Sequence, residues 1–159
     1  MKPNYRKCLW LFIPKDSQVY TLCKKLQMSI SEPIIFPPHI TVEYNMENEA
    51  ACIGKWKKII KNGIIITVNT DIIENNDDSF HILQLNVNVV DNSGVNVMHT
   101  GYEPHVSFAY QFKPFTIKDK IKAHKIIKEH HFNDYTITPI LATEYCNTNE
   151  IETWVGRVV

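Results

Sequence analysis

Two octets, PPHITVEY at residues 37–44 and EPHVSFAY at 103–110, repeat one pattern in the two halves of the chain. Each reads Pro-His-aliphatic-hydroxyl, two further residues, then Tyr. Such β-branched, alternating residues favour an extended strand, and the proline before each histidine biases the preceding residue towards extended backbone. Successive strand side chains point to opposite faces. His39 and Thr41 therefore share one face while Ile40 and Val42 take the other, and His105 and Ser107 share a face opposite Val106 and Phe108. Each half must then fold around a strand with an apolar side and a side bearing an imidazole beside a hydroxyl.

The remaining pattern supplies elements to pack against those strands. The apolar run at 8–13 reads as a buried strand ended by Pro14. Val19, Leu22, Cys23 and Leu26 recur at helical spacing, predicting an amphipathic helix over 17–28 capped by Asp16 or Ser17. Residues 29–38, with three prolines, form a loop. A helix over 47–61 carries Ile53, Trp56 and Ile60 on one face and stops at Gly63. Strands are predicted at 64–68 and 80–90, with a turn at 74–79. Residues 91–104 form a loop or a short irregular helix. Thr116 to Asp119 resembles a capping box opening a helix to about Glu129, with Ile117, Ile121 and His124 on one face. Strands at 134–146 and 153–159 end the chain. The order is β-α-β-α-β-β followed by β-α-β-β, which predicts an α+β fold.

At 159 residues, 44% hydrophobic and 21% charged, the chain suits a single domain, 1–159, with a sizeable core. Seventeen basic and seventeen acidic residues cancel, which argues against an electrostatic grip on duplex DNA or anionic lipid. A small anionic ligand needs only local charge. No apolar stretch approaches the ~20 residues of a membrane span. Cys8, Cys23, Cys52 and Cys146 form no CxxC and read as buried thiols in a reducing compartment, hence a cytoplasmic setting. Heavy use of Ile, Asn and Lys suggests an AT-rich genome. Large DNA viruses are among the sources this allows, and the host cytoplasm would then be the setting.

Two imidazoles facing one space can divide acid–base work, one taking a proton from the nucleophile and the other giving one to the leaving oxygen. Their ordinary pKa near 6.5 suits both tasks at neutral pH. The hydroxyls can donate hydrogen bonds to phosphate oxygens as charge builds on them. The arrangement needs neither metal nor cofactor. A lone PHxT would more often hold a structural histidine, but a second matched copy sets these two apart. His124, His130 and His131 lack zinc-site spacing. His99 could line the same space or serve as a polar loop residue. Glu43 shares the His39 face by parity. Trp10, Tyr44, Tyr102 and Phe112 could stack a base, though core packing explains each as well. Lys113 and Arg157 read as surface residues. GxxxxGK[ST], GxGxxG and GxSxG are all absent.

The motifs His39-Ile-Thr41 and His105-Val-Ser107 resemble the paired His-x-Thr/Ser signatures of the 2H phosphoesterase superfamily. LWLFIPKDSQVYTLCKKL, SFHILQLNV and HVSFAY further resemble its plant and yeast cyclic phosphodiesterases, the LigT-like branch. The resemblance implies a two-lobed, pseudo-symmetric fold with mostly antiparallel sheets, helices on the outer faces and a central cleft. It implies metal-independent hydrolysis of nucleoside 2′,3′-cyclic phosphates or ADP-ribose 1″,2″-cyclic phosphate by a monomer. His39 and His105 would be catalytic, and Thr41, Ser107 and Tyr110 would bind substrate. It gives His105 the task of activating water and His39 that of protonating the departing ribose oxygen. Strict alternation puts Tyr110 opposite His105, so its role requires a bulge or strand end between them. Two other readings stay open. One is a viral-type enzyme degrading signalling nucleotides, such as 2′-5′ oligoadenylate or a cyclic dinucleotide. The other is a module binding RNA ends or short oligonucleotides without turnover.

Overall fold

A computed structural model describes residues 5–44, 46–76, 80–98, 101–130, 137–147, 151 and 154–159. The elements follow in the order β1 (Tyr5–Phe12), α1 (Gln18–Ser29), β2 (His39–Glu43), α2 (Glu49–Asn62), β3 (Ile64–Asn76), β4 (His81–Asp91), β5 (His105–Gln111), α3 (Ile117–Glu129), β6 (Ile140–Asn147) and β7 (Arg157–Val158). This is an α+β fold, in the order expected from the sequence. β3 runs on to Asn76, with its pairing interrupted between Val68 and Ile72, so it occupies the start of the expected 74–79 turn. Part of that turn, and the beginning of the expected 134–146 strand, lie outside the described residues.

The strands form one antiparallel sheet in the order β3-β4-β5-β2-β1-β6-β7. The two motif strands, β5 and β2, are therefore central neighbours. They meet through a single register pair, Ile40 with Val106. All three helices pack on one face of the sheet. There Leu9, Leu11, Ile40, Val42, Val87 and Val106 join Val19 and Cys23 of α1 and Trp56 of α2 in one core cluster. Leu22 and Leu26 of α1, Leu83 and Leu85 of β4, Phe108 and Ala123 of α3 form a second. The opposite face carries a smaller cluster of Cys8, Trp10, Phe36, Ala142, Ile151 and Trp154. No helix among the described residues is long and apolar enough to cross a membrane. Cys8, Cys23 and Cys52 are free thiols, and the Cys146 side chain lies outside the described set.

Local signals set the helix ends. Ser17, Asn48 and Thr116 each cap a helix, accepting from the backbone N–H three residues on. In α3, however, the expected apolar face is solvent. Ile117 and Ile121 are 77% and 62% exposed, while Asp119 and Ala123 are buried. The helix is rotated because Asp119 has a buried task. Its carboxylate accepts from Ser31 N–H (3.2 Å) and Ser31 Oγ (3.0 Å), while its own N–H donates to Thr116 Oγ1. Ala123 and the half-buried Ile126 and Ile127 follow it onto the α1 side.

That carboxylate anchors the start of the loop that delivers His39, and Gln27 Nε2 donates to Phe36 O near its end. Asp119→Ala strips two charge-assisted bonds made by a buried carboxylate, so it should lower the unfolding free energy by about 2 kcal/mol. Urea unfolding measures this; a loss below about 0.5 kcal/mol would mean the loop is held by other contacts.

Candidate functional site

Both motifs present their polar residues on the face opposite α1, α2 and α3. Ile40 and Val106 form the joining pair and point into the helix-side core. His39, Thr41, His105 and Ser107 flank this single pair and alternate onto the other face of the sheet. Each imidazole thus shares a face with the hydroxyl two residues along its own strand.

The backbone before each histidine is used in the same way twice. His39 Nδ1 donates to Pro37 O (2.7 Å), and His105 Nδ1 donates to Glu103 O (3.1 Å). A carbonyl can only accept, so each neutral ring holds its proton on Nδ1 and carries its lone pair on Nε2. The next carbonyl is also taken: Pro38 O accepts from Ile13 N–H, and Pro104 O from Val87 N–H. These paired bonds fix ring and strand start together in both copies.

Both motif strands also bulge directly after the motif. On β2, Thr41 lies opposite Trp10 and Glu43 opposite Leu9, leaving Val42 as the extra residue. On β5, Ser107 lies opposite Gln84 and Ala109 opposite Leu83, leaving Phe108 extra. Phe108 and Ala109 consequently both face the helix side. Tyr110 returns to the face of Ser107, where its ring meets Phe36 (5.1 Å), Trp154 (5.5 Å) and Phe80 (5.7 Å). This is the bulge that a Tyr110 beside the motifs requires. The same device corrects the parity reading of Glu43. The bulge turns it to the helix side, where Oε1 accepts from Trp56 Nε1 and Lys55 Nζ.

The surroundings of the two histidines differ. His39 is buried and stacks on the Trp10 indole, with centroids 3.6 Å apart and planes at 17°. Phe36 and Trp154 approach it edge-on. His105 is half-buried next to exposed Glu103. Burial lowers the His39 pKa to about 4, against a raising bond from Pro37 O and with a smaller lowering effect of His105. Burial also lowers His105, opposed by its bond to the Glu103 carbonyl and by the Glu103 charge. Both rings are therefore neutral at pH 7 in the free protein, and protonating one disfavours protonating the other.

Trp154 joins this cluster from the far end of the chain. Its strap is held by Glu144, whose Oε2 accepts from the N–H groups of Val155 and Gly156. Gly156, at φ +68°, lies so close to Phe12 that an added Cβ would sit 2.4 Å from the ring. Trp154 was not legible as a site residue: it lies in a short segment with no motif, and only tertiary contact brings it here. Trp10, weighed as a base-stacking ring, is fully buried beneath His39; Tyr44 and Phe112 are exposed. Tyr102 donates to Thr41 O (2.7 Å), bracing the first motif strand, and burial raises its pKa. Lys113 and Arg157 are exposed, and His99 and His131 lie outside the described residues. No group of three His, Cys, Asp or Glu side chains among the described residues is placed to hold a metal.

No family model matches the chain, and no curated protein matches it.

The lowered His39 pKa has a sign that stability measurements can read. The unfolded chain binds a proton near pH 6.5 and the folded protein only near 4, so stability is full above about pH 6.5 and is lost as pH falls to about 4. The loss is on the order of 3 kcal/mol. His39→Gln, which cannot titrate, should flatten that part of the melting-temperature profile. An unchanged acid limb in the variant would assign the loss to other groups.

Proposed function

We propose that this protein is a metal-independent phosphodiesterase that opens ribose cyclic phosphates by two-histidine acid–base catalysis. One observation carries the reading. Two His-x-hydroxyl motifs lie side by side at the centre of one sheet face, each ring clamped through Nδ1 so that Nε2 is left for chemistry. A structural role for both would not need the same clamp twice. The matched registers support a two-lobed, pseudo-symmetric arrangement, with β1 and β2 equivalent to β4 and β5 and a cleft over the seam. The reading also places the protein in the cytoplasm, acting alone on a small nucleotide.

In this mechanism the phosphate sits over the seam and accepts hydrogen bonds from Thr41 and Ser107. Ser107 is 5% exposed, so its bond forms with little competing water. His105 Nε2 takes a proton from water as the water oxygen bonds to phosphorus. The bond from phosphorus to one ribose oxygen breaks, and His39 Nε2–H gives that oxygen its proton. His39 ends neutral and His105 protonated, and solvent exchange resets the pair. His39 holds no proton in the free protein at neutral pH. The anionic phosphate and the face of Trp10 both favour the imidazolium, so substrate binding supplies what burial opposes. Tyr110 flanks the phosphate on the aromatic side.

Three measurements test this reading. In EDTA, turnover of 2′,3′-cyclic AMP or ADP-ribose cyclic phosphate should persist. Loss that zinc or magnesium restores would refute a metal-independent route, and turnover of only 2′-5′ oligoadenylate or a cyclic dinucleotide would move the activity to signalling nucleotides. Thr41→Ala or Ser107→Ala should cost roughly 10- to 1000-fold in rate, and either histidine to alanine at least as much. On an ester with a p-nitrophenolate leaving group, which needs no acid, His39→Ala should recover much of its rate while His105→Ala should not; the reverse pattern exchanges the two roles.

The pH profile gives a further expectation. Since both pKa values lie below 6.5 in the free protein, kcat/KM should be bell-shaped and already falling between about pH 6.5 and 8. A kcat/KM that rises across that interval would contradict the pair.

A further inference from the structure

Among the described residues, two buried side-chain polar atoms lack a hydrogen-bond partner: Trp10 Nε1 and Gln84 Oε1. They occupy matching places. Trp10 lies opposite Thr41 on one side of the seam, and Gln84 lies opposite Ser107 on the other. One step along, Phe12 lies opposite His39 and Asn86 opposite His105. The frame is the same on both sides while the chemistry differs. An indole and a phenyl ring flank the first motif, and two carboxamides flank the second.

Gln84 is 5% exposed, as buried as His39 and Ser107 themselves. Its Nε2 donates to Asn86 Oδ1 at 3.1 Å, which holds the amide plane and leaves Oε1 free to accept. Leaving a buried acceptor unmet costs about 1–3 kcal/mol, so such groups call for a reason. Being opposite Ser107 places Gln84 on the motif face, one strand spacing, about 4.8 Å, from the hydroxyl that would hold the phosphate. A sugar attached to that phosphate spans this distance.

We infer that Gln84 is a substrate-binding residue whose Oε1 accepts a hydrogen bond from a hydroxyl of the ribose carrying the scissile phosphate, with Asn86 as the residue that positions its amide. This rests on the phosphodiesterase reading and deepens it by assigning substrate orientation. The sugar lies over β4, where an acceptor waits, and not over β1, where Trp10, Phe12 and Trp154 offer rings. The Oε1 atom has almost no exposed surface in the free protein, so a bound hydroxyl satisfies it by displacing the side chains that cover it, and a phosphate without its sugar does not.

The test compares adenosine 2′-monophosphate with inorganic phosphate as ligands of wild type and of Gln84→Met, which keeps side-chain length without the amide. Calorimetric titration should show nucleotide binding weakened roughly tenfold and phosphate binding changed less than about twofold. Because the variant removes an unmet acceptor, its melting temperature should hold or rise, whereas a structural glutamine would lower it. With a cyclic substrate, KM should rise more than kcat falls. Gln84→Leu serves as a second variant should Gln84→Met fail to fold. Equal weakening of both ligands, or of neither, overturns the inference while leaving the phosphodiesterase reading in place. Should wild type bind neither ligand, that reading fails and the inference with it.

Discussion

One strand pair, Ile40 with Val106, joins the two parts of the sheet, and the arrangement of the candidate site depends on it. Both residues are buried against the helices, which holds the strands at one depth. A slip of one residue would turn a whole motif into the helix-side core, where an imidazole and a hydroxyl would lose water without gaining partners. The cost of that slip locks the register, and the register turns His39, Thr41, His105 and Ser107 to one face. What fixes the register thus also assembles the candidate site.

Around this seam the chain uses the same local devices twice. A carbonyl two residues back receives each Nδ1 proton, the following carbonyl is bonded by the neighbouring strand or its end, and a bulge follows each hydroxyl. The outcomes diverge because the side chains at the bulges differ. After Ser107, Phe108 and Ala109 both suit an apolar core, and Tyr110 comes back to the motif face. After Thr41, Val42 fills the core, and the half-buried Glu43 turns to the same side, where its carboxylate accepts from Trp56 Nε1 and Lys55 Nζ. Tyr44, the counterpart of Tyr110, is exposed and meets Tyr102 instead.

Asymmetry in the surroundings then separates two histidines that look alike. His39 is packed among three aromatic rings and is the harder to charge, while His105 keeps a carboxylate nearby and more water. The carboxamides on β4 and the rings on β1 repeat this contrast one strand further out. An enzyme with such a floor would hold a nucleotide in one direction only. On the proposed reading, that contrast would separate two imidazoles alike in sequence into an acid and a base.

Much of this was local and therefore legible in the sequence. Period-two alternation gave each motif one face, helical spacing located α1 with its buried Val19, Leu22, Cys23 and Leu26, and the caps at Ser17 and Thr116 follow from side chains bonding their own neighbours. The α3 face was misread because Asp119 takes its buried place through Ser31, a partner 88 residues away. Trp154 and the Gln84–Asn86 pair escaped for the same reason: nothing near them in the chain marks them, and only strand register or strap closure puts them beside a histidine. Propensity, capping and side-chain period act over a few residues, so the sequence alone determined the elements and the two motif faces. Register, bulge position and burial depend on energies summed across the whole sheet. Tertiary structure alone decided that both motifs share one surface, which ring is harder to protonate, and which side of the seam carries an unmet acceptor.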